Sequence, residues 1–468
     1  MTNIDNCEEK IMIDPTIFRQ YDIRGIVGQE LTTESLEELA KGFASFFFAN
    51  KMNTILVGYD NRHSSKPFRD ILVSSLVSKD FNIIDLGCVT TPMFYFASRT
   101  GHIPAGIMIT ASHNPANYNG FKILLGESTI YGDDIQRILR YIQEKEYLFT
   151  ENKNKGEVAQ KDILEEYHVY LLDHIKLGPR KLKIALDCGN GTASITSQKI
   201  LESFGVDVVP IYCDSNPDFP NHFPDPVKLE NCRDLAKAVR DNHCDAGIGL
   251  DGDGDRIGLL DENGSPIWGD IILVLFAREI LKNFPGEKVL VEVKCSQLLV
   301  DEVTRLGGKP EIYKTGHSLI KARMKEIGAI LAGEMSGHMF LKDEYFGFDD
   351  ATYAGLRILR ILSNSYQSLS EMLSDLPTVY STPEIRAHVT EKEKFLIVEK
   401  AKQYLSKEFQ INDIDGVRAI INNGWGLIRA SNTGPEIIIR AEATTAENLA
   451  FIKKKLETAL QPIQIPWE

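Results

Sequence analysis

Residues 106–123 read GIMITASHNPANYNGFKI. The apolar run Gly106-Ile107-Met108-Ile109 breaks into Thr110-Ala111-Ser112-His113-Asn114-Pro115, and Phe121 to Leu125 is apolar again. A short apolar run closed by Asn, Pro and Gly reads as a buried strand ending in a tight polar turn. Doubly wound α/β domains hold ligands at the carboxyl ends of their strands. Ser112 stands just past such an end, in a loop rich in exposed backbone donors.

The same rhythm runs outward from this stretch. Ile55 to Gly58 leads into Tyr59-Asp60-Asn61-Arg62, and Asn82 to Leu86 precedes a helical pattern from Pro92 to Arg99. A Lys/Asn-rich segment, Thr150 to Gly156, reads as a linker. The pattern restarts at Lys183 to Asp187, which runs into Cys188-Gly189-Asn190-Gly191-Thr192, and again at Lys288 to Val293. Three such units predict three similar α/β domains with mixed or parallel sheets. After Leu376-Pro377 strand-like runs mix with two helical patterns, Glu391 to Phe409 and Ala446 to Leu460, which predicts a small α+β domain. The expected divisions are 1–155, 156–264, 265–376 and 377–468. Two prolines between Ser374 and Pro383 mark a hinge before the last unit.

Bulk properties bound the function. A chain of 468 residues is too long for one core. A net charge of −14 argues against a general nucleic-acid or anionic-membrane binder. Seven widely spaced cysteines without a Cys-x-x-Cys argue against a disulfide framework or zinc site and fit a reducing cytoplasm. The first residues have no basic and apolar leader pattern, and no apolar run is long enough to span a bilayer.

Four constellations carry chemistry. The first is the Ser112-His113 loop, in which Ser112 is a nucleophile if a base is near, and otherwise a turn serine bonding its own backbone. It is not a Gly-x-Ser-x-Gly elbow. The second is Asp251-Gly252-Asp253-Gly254-Asp255-Arg256, which places three carboxylates on one turn and suits a hard cation such as Mg²⁺ or Ca²⁺, or is a merely solvated acidic turn. An EF-hand is excluded because Arg256 stands where the sharp turn needs Gly, and the flanks are strand-like. The third, Gly333-Glu334-Met335-Ser336-Gly337-His338, offers donors and acceptors for sugar hydroxyls, or is an ordinary polar turn. The fourth, Arg429-Ala430-Ser431-Asn432-Thr433-Gly434, has the chemistry of a phosphate cradle, or is a β-turn beside a surface Arg. Arg24, in a segment that also holds Tyr21, and Lys122, Lys294 and His317 are scattered basic groups that could complete a cleft, or are plain surface residues.

Together these pieces resemble the α-D-phosphohexomutase family over nearly the whole chain, in the family's order and approximate spacing. Thr110 to Pro115 and Asp251 to Arg256 are the specific motifs, with Phe18 to Gly25, Gly333 to His338 and Arg429 to Thr433 beside them. Gly-Glu-Met-Ser-Gly-His and Arg-Ala-Ser-Asn-Thr resemble the bacterial phosphomannomutase/phosphoglucomutase branch. The phosphoglucosamine branch usually has Gln where Met335 stands and Ser where Thr110 stands.

The resemblance implies four domains around one central cleft, each giving one loop. It implies that Ser112 carries a phosphoryl group and exchanges it with a hexose 1- or 6-phosphate through a hexose 1,6-bisphosphate. Mg²⁺ would be held by Asp251, Asp253, Asp255 and Ser112, with Arg256 orienting the phosphate. Lys122, His338 and Arg24 become candidates for proton transfer, with His113 supporting the loop. Glu334 and Ser336 would hold two adjacent sugar hydroxyls, and Arg429, Ser431, Asn432 and Thr433 the distal phosphate, with Tyr21, Lys294 and His317 adding contacts. A small sugar phosphate is then the only partner expected, with no nucleic acid or membrane, in a monomer or weak homo-oligomer. The rival readings are a phosphoglucosamine mutase, a Mg-dependent sugar phosphatase and a non-catalytic sugar-phosphate binder.

Overall fold

In the computed structural model the described residues are 13–149, 155–432 and 434–467. They form three mixed α/β units and a fourth unit with an antiparallel sheet. Most of the expected linker, and Thr433, lie outside the described residues.

The first sheet runs in the order Ile23–Ile26, Tyr118–Leu125, Ala105–Ile109, Thr54–Tyr59, Asn82–Cys88, Val158–Gln160. Ala105–Ile109 lies parallel to Thr54–Tyr59 and antiparallel to Tyr118–Leu125, with Ile109 opposite Phe121. Its residues are all buried because both faces are covered. Ile107 and Ile109 join the core under helices Thr33–Ala49, Ser65–Val77 and Asp133–Glu144, while Met108 faces the core of helix Thr91–Gly101 on the other side. Val158–Gln160 pairs with Ile83 to Asp85, so the chain still belongs to the first sheet beyond residue 156, where the sequence reading begins the second unit. Linker composition does not reveal that a three-residue edge strand comes after it.

One construction repeats. In the second sheet the central strand Ala246–Leu250, parallel to Lys183–Asp187, turns back into antiparallel Ile257–Leu260. In the third, Leu331–Gly333 lies parallel to Lys288–Glu292 and turns back into antiparallel Met339–Leu341. In the fourth, Gly424–Ala430 turns into Glu436–Ala443. Each of the four motif loops is therefore the hairpin connection at the end of a buried strand. Two rigid strands hold each loop at both ends, so its side chains are placed by the sheet rather than by the loop itself.

The interiors are unequally shared. One apolar core runs through all of the first three units, from Leu56 and Phe94 through Ile184 and Ile257 to Val291 and Leu369. The last unit has its own core, in which helices Lys394–Leu405 and Ala446–Leu460 cover one face of the sheet. It is joined to the third unit by a small cluster of Val293, Trp425 and Leu427. Buried Arg418 stacks on Trp425 at 3.9 Å and donates to the carbonyls of Val293 at 2.7 Å and Cys295 at 3.0 Å.

Candidate active site

Ser112 is buried with φ +51°, a left-handed backbone in a residue that is not glycine. The loop overdetermines this conformation. Ser112 N donates to Thr110 Oγ1 at 2.9 Å. The guanidinium of Arg62, itself paired with Asp60, donates to the carbonyls of Ser112, Asn114, Pro115 and Tyr118 at 2.6–3.2 Å. Arg24 Nη1 donates to Asn114 Oδ1 at 2.5 Å and pairs with Asp22. The serine hydroxyl then meets the aspartate loop of the second unit: Oγ donates to Asp251 Oδ2 at 2.8 Å and lies 3.0 Å from His113 Nδ1.

The aspartate loop is fixed from three sides. Its carbonyls at Gly252, Asp253 and Gly254 accept from Thr192 N at 2.8 Å, Thr91 N at 2.9 Å and Ala351 N at 3.2 Å, one from each of the first three units. Asp251 Oδ1 takes three backbone N–H groups, from Gly254, Asp255 and Arg256, at 3.0–3.1 Å, which leaves Oδ2 for the serine. Gly252 is required by close approach, since a Cβ there would collide with the Ser112 carbonyl. Lys122 donates to Asp253 Oδ2 at 2.7 Å and Asp255 Oδ2 at 2.5 Å, and Thr91 Oγ1 to Asp253 Oδ2 at 2.6 Å.

The aspartate site can hold a cation. Carboxylate oxygens of Asp251, Asp253 and Asp255 lie within 4.8 Å of one another, all three residues buried. Oδ1 of both Asp253 and Asp255 is buried without a hydrogen-bond partner. Burial, and then the neighbouring Asp255 and Asp253, push the Asp251 carboxyl well above the usual carboxylate range. This is an all-oxygen set with more negative charge than its protein surroundings balance, which suits a hard divalent ion.

Around it stands an imidazole and carboxylate group. His338 Nε2 accepts from Arg256 Nε at 2.9 Å, which leaves Nδ1 to carry the proton, 2.8 Å from Asp349 Oδ2. His317 stacks on His338 with centroids 5.3 Å apart and meets Tyr21 edge-on at 5.9 Å. Burial, helped by Lys321, holds His317 well below its usual value; burial, helped by Arg256, does the same to His113. Asp349 is paired with Lys321 at 3.0 Å.

The third and fourth loops are linked through Tyr21, Thr315 and Asp415. Glu334 Oε1 accepts from Gly316 N at 2.6 Å and its Oε2 accepts from Ser336 Oγ at 3.0 Å. Tyr21 OH donates to Thr315 O at 2.6 Å and accepts from Asn432 Nδ2. Arg429 Nε donates to Asp415 Oδ2 at 2.9 Å, which also accepts from Thr315 N at 3.0 Å. Lys394 Nζ donates to Ser431 O at 2.8 Å, setting a buried cation behind the loop. Lys294 is engaged in ion pairs with Glu384 at 2.8 Å and Glu292 at 3.2 Å, at the junction of the third and last units.

All the described candidate residues therefore lie on the four hairpin loops, on the strands that hold them, or on segments hydrogen-bonded to them. Sequence reasoning missed Arg62, Thr91, Asp349, Asp415 and Lys394. Arg62 carried a signal, since it stands past the end of a strand adjacent to that of Ser112; the others are brought in by contacts between units.

Comparison with known proteins agrees with this geometry. The phosphoglucomutase/phosphomannomutase family matches domain by domain: alpha/beta/alpha domain I over residues 15–148, domain II over 165–264, domain III over 268–380 and the C-terminal domain over 384–459.

The chain belongs to the phosphoglucomutase/phosphomannomutase family.

Among relatives in the family, a phosphomannomutase/phosphoglucomutase of Pseudomonas aeruginosa is 40% identical over 449 residues, 96% of each chain. A phosphoglucomutase of Neisseria meningitidis is 39% identical over 448 residues, covering 95% of this chain and 96% of the relative. A solved phosphoglucomutase/phosphomannomutase family protein from Burkholderia thailandensis superposes with a TM-score of 0.90 at 35% identity, covering 97% of this chain and all of that one (100%). Membership makes the protein an enzyme, a mutase that moves phosphoryl groups. Among the described residues no helix is long and apolar enough to cross a membrane.

Proposed function

We propose that the enzyme interconverts hexose 1-phosphates and hexose 6-phosphates of mannose and glucose, with phosphoserine 112 as donor and a hexose 1,6-bisphosphate as intermediate. The observation that carries this reading is Ser112 Oγ, held 2.8 Å from Asp251 in a buried three-carboxylate site.

Asp251, Asp253, Asp255 and an oxygen on Ser112 would hold Mg²⁺. Bound there, the ion supplies charge neutralisation to the transferring phosphoryl group. The remaining work falls to the chain itself. Arg62 holds the Ser112 loop, so the phosphoryl group on Oγ faces the cleft without reorganisation at the moment of transfer. Arg429, Ser431, Asn432 and Thr433 hold the substrate's other phosphate and thereby fix the distance of its free hydroxyl from Ser112. The hydroxyl oxygen forms the new P–O bond as the bond to Ser112 Oγ breaks. Lys122, His338 and Arg24 are the groups proposed to move the hydroxyl proton, and His113, 3.0 Å from Oγ, supports the serine loop. The bisphosphate turns over in the cleft and gives its other phosphoryl group back to Ser112.

Glu334 and Ser336 would grip two neighbouring sugar hydroxyls. A grip on hydroxyls 3 and 4 sees little of carbon 2, where glucose and mannose differ, so both sugars should be accepted. Met335 and Thr110 speak against the phosphoglucosamine branch. The free thiols of the described cysteines suit a reducing, cytoplasmic setting.

Phosphorus NMR tests the reading, with Mg²⁺, a trace of glucose 1,6-bisphosphate and either mannose 1-phosphate or glucose 1-phosphate. Growth of the 6-phosphate signal without inorganic phosphate is expected for both sugars. Release of inorganic phosphate would make the protein a phosphatase, and turnover of glucosamine phosphates alone would reassign the sugar.

A further inference from the structure

Cys188 and Cys213 lie 25 positions apart in sequence, with Sγ atoms 3.3 Å apart. They stand past the carboxyl ends of two neighbouring parallel strands, Lys183–Asp187 and Asp207–Ile211. Both are free thiols; Cys188 is buried and Cys213 is partly exposed. The two loops are already laced together: Cys188 N donates to Ile211 O at 3.3 Å, Asn190 N to Tyr212 O at 2.8 Å, and Asn190 Nδ2 to Asp214 O at 2.8 Å.

The turn beside Cys188 gives the pair its reach. Gly189-Asn190-Gly191-Thr192 leads directly to the aspartate loop, where Thr192 N donates to Gly252 O at 2.8 Å. A Cβ on Gly191 would lie 2.8 Å from that same carbonyl, so the contact is tight. The turn also meets the first unit, because Asn61 Nδ2 donates to Asn190 O at 2.9 Å. Gly252 stands between Asp251 and Asp253, and its carbonyl is the one anchor of the aspartate loop that comes from this turn.

We propose that Cys188 and Cys213 are a reversible oxidation site, closing to a disulfide that shifts the 189–192 turn and slows the enzyme. A disulfide holds its sulfurs at about 2.05 Å, so closure draws the two sulfurs together from 3.3 Å, against loops already tied by backbone hydrogen bonds. With a peroxide as oxidant, the Cys213 thiolate attacks one peroxide oxygen. The O–O bond breaks, giving Cys213 sulfenic acid and, after protonation, one water. Cys188 sulfur then attacks Cys213 Sγ, the S–O bond breaks, and its thiol proton leaves with the hydroxide as a second water. Two thiols lose two electrons and two protons, and one peroxide becomes two waters. The environment divides these roles, since the hydrogen bond with Cys188 holds the Cys213 thiol below its usual value, whereas the same bond and burial push Cys188 well above its own.

The site stands apart from the mutase reading, and its test has a readout that needs no turnover. The intact enzyme is treated with hydrogen peroxide, free thiols are blocked, and peptides are mapped without reduction. A crosslink between the peptides carrying Cys188 and Cys213 is expected, about 2 Da lighter than the two thiols and lost on adding dithiothreitol. Mutase activity should fall severalfold with the crosslink and return with dithiothreitol, while Cys213→Ser keeps its basal rate and resists peroxide. Absence of the crosslink in the wild-type protein would overturn the proposal, whatever the variant does. A crosslink that leaves turnover unchanged, or equal peroxide inactivation of Cys213→Ser, would overturn the link to the aspartate loop.

Discussion

At the scale of single residues, the reacting group is held by more protein than it touches. Ser112→Ala should abolish turnover and leave the fold intact, because the loop is held by backbone carbonyls rather than by the hydroxyl. Steady-state kinetics beside a thermal melt checks both halves. Arg62→Met should be far more disruptive. It removes a buried cation that satisfies four carbonyls and leaves Asp60 unpaired, a loss of about 3–5 kcal/mol; the urea midpoint, read at unchanged m-value, reports it. Arg429→Ala should raise the Michaelis constant and slow transfer, since each lost charge-assisted hydrogen bond to phosphate is worth about 1.5–3 kcal/mol. Initial rates over a range of substrate concentration separate the two effects. The sequence exposed Ser112 and the three aspartates because their chemistry is written in a contiguous motif. Asp349 and Asp415 were invisible, because each is one acidic residue among many until the sheets bring it to His338 or Arg429.

At the scale of elements, the strands were legible where both faces are covered. Ala105–Ile109 and Ala246–Leu250 are continuous apolar runs, Lys288–Glu292 has the apolar centre Val289 to Val291, and the loops announce themselves through Gly, Asn and Pro. The edge strand Val158–Gln160 was not, since all three of its residues are exposed and an exposed edge needs no apolar pattern. The junction before the last sheet is electrostatic. Burial opposes the charge of Glu384, yet Lys294 and then Arg386 bring its carboxyl down to about 2. The ordinary glutamate value is about 4.3. The folded value is depressed, so the stabilisation is present above the ordinary value and is lost as pH falls toward the folded one. Glu384→Gln should therefore lower stability near neutrality and flatten the loss between about pH 4.5 and 2, read as melting temperature against pH.

At the scale of the whole molecule, one core runs through three units, each of which also holds a cluster of its own, and the fourth has a separate core. A chain ending at residue 376 should still melt as one cooperative body, and should show no turnover if the loop at 429–433 holds the substrate's phosphate as proposed. Calorimetry and an activity assay on that fragment check the pair of outcomes. Loss of cooperative melting would mean that the Arg418 and Trp425 contacts are needed to complete the third unit. Composition and rhythm gave the number of units, but not which interiors merge; that depends on which sheet faces meet, and no local pattern encodes it.

The unequal division of the interior also bears on descent. The serine and the aspartates are embedded in a fabric common to three units, so a change beneath either is felt by both. The last unit is stitched on by a few contacts and keeps its own filling. Inheritance can rework that panel without recutting the cloth that joins the other three.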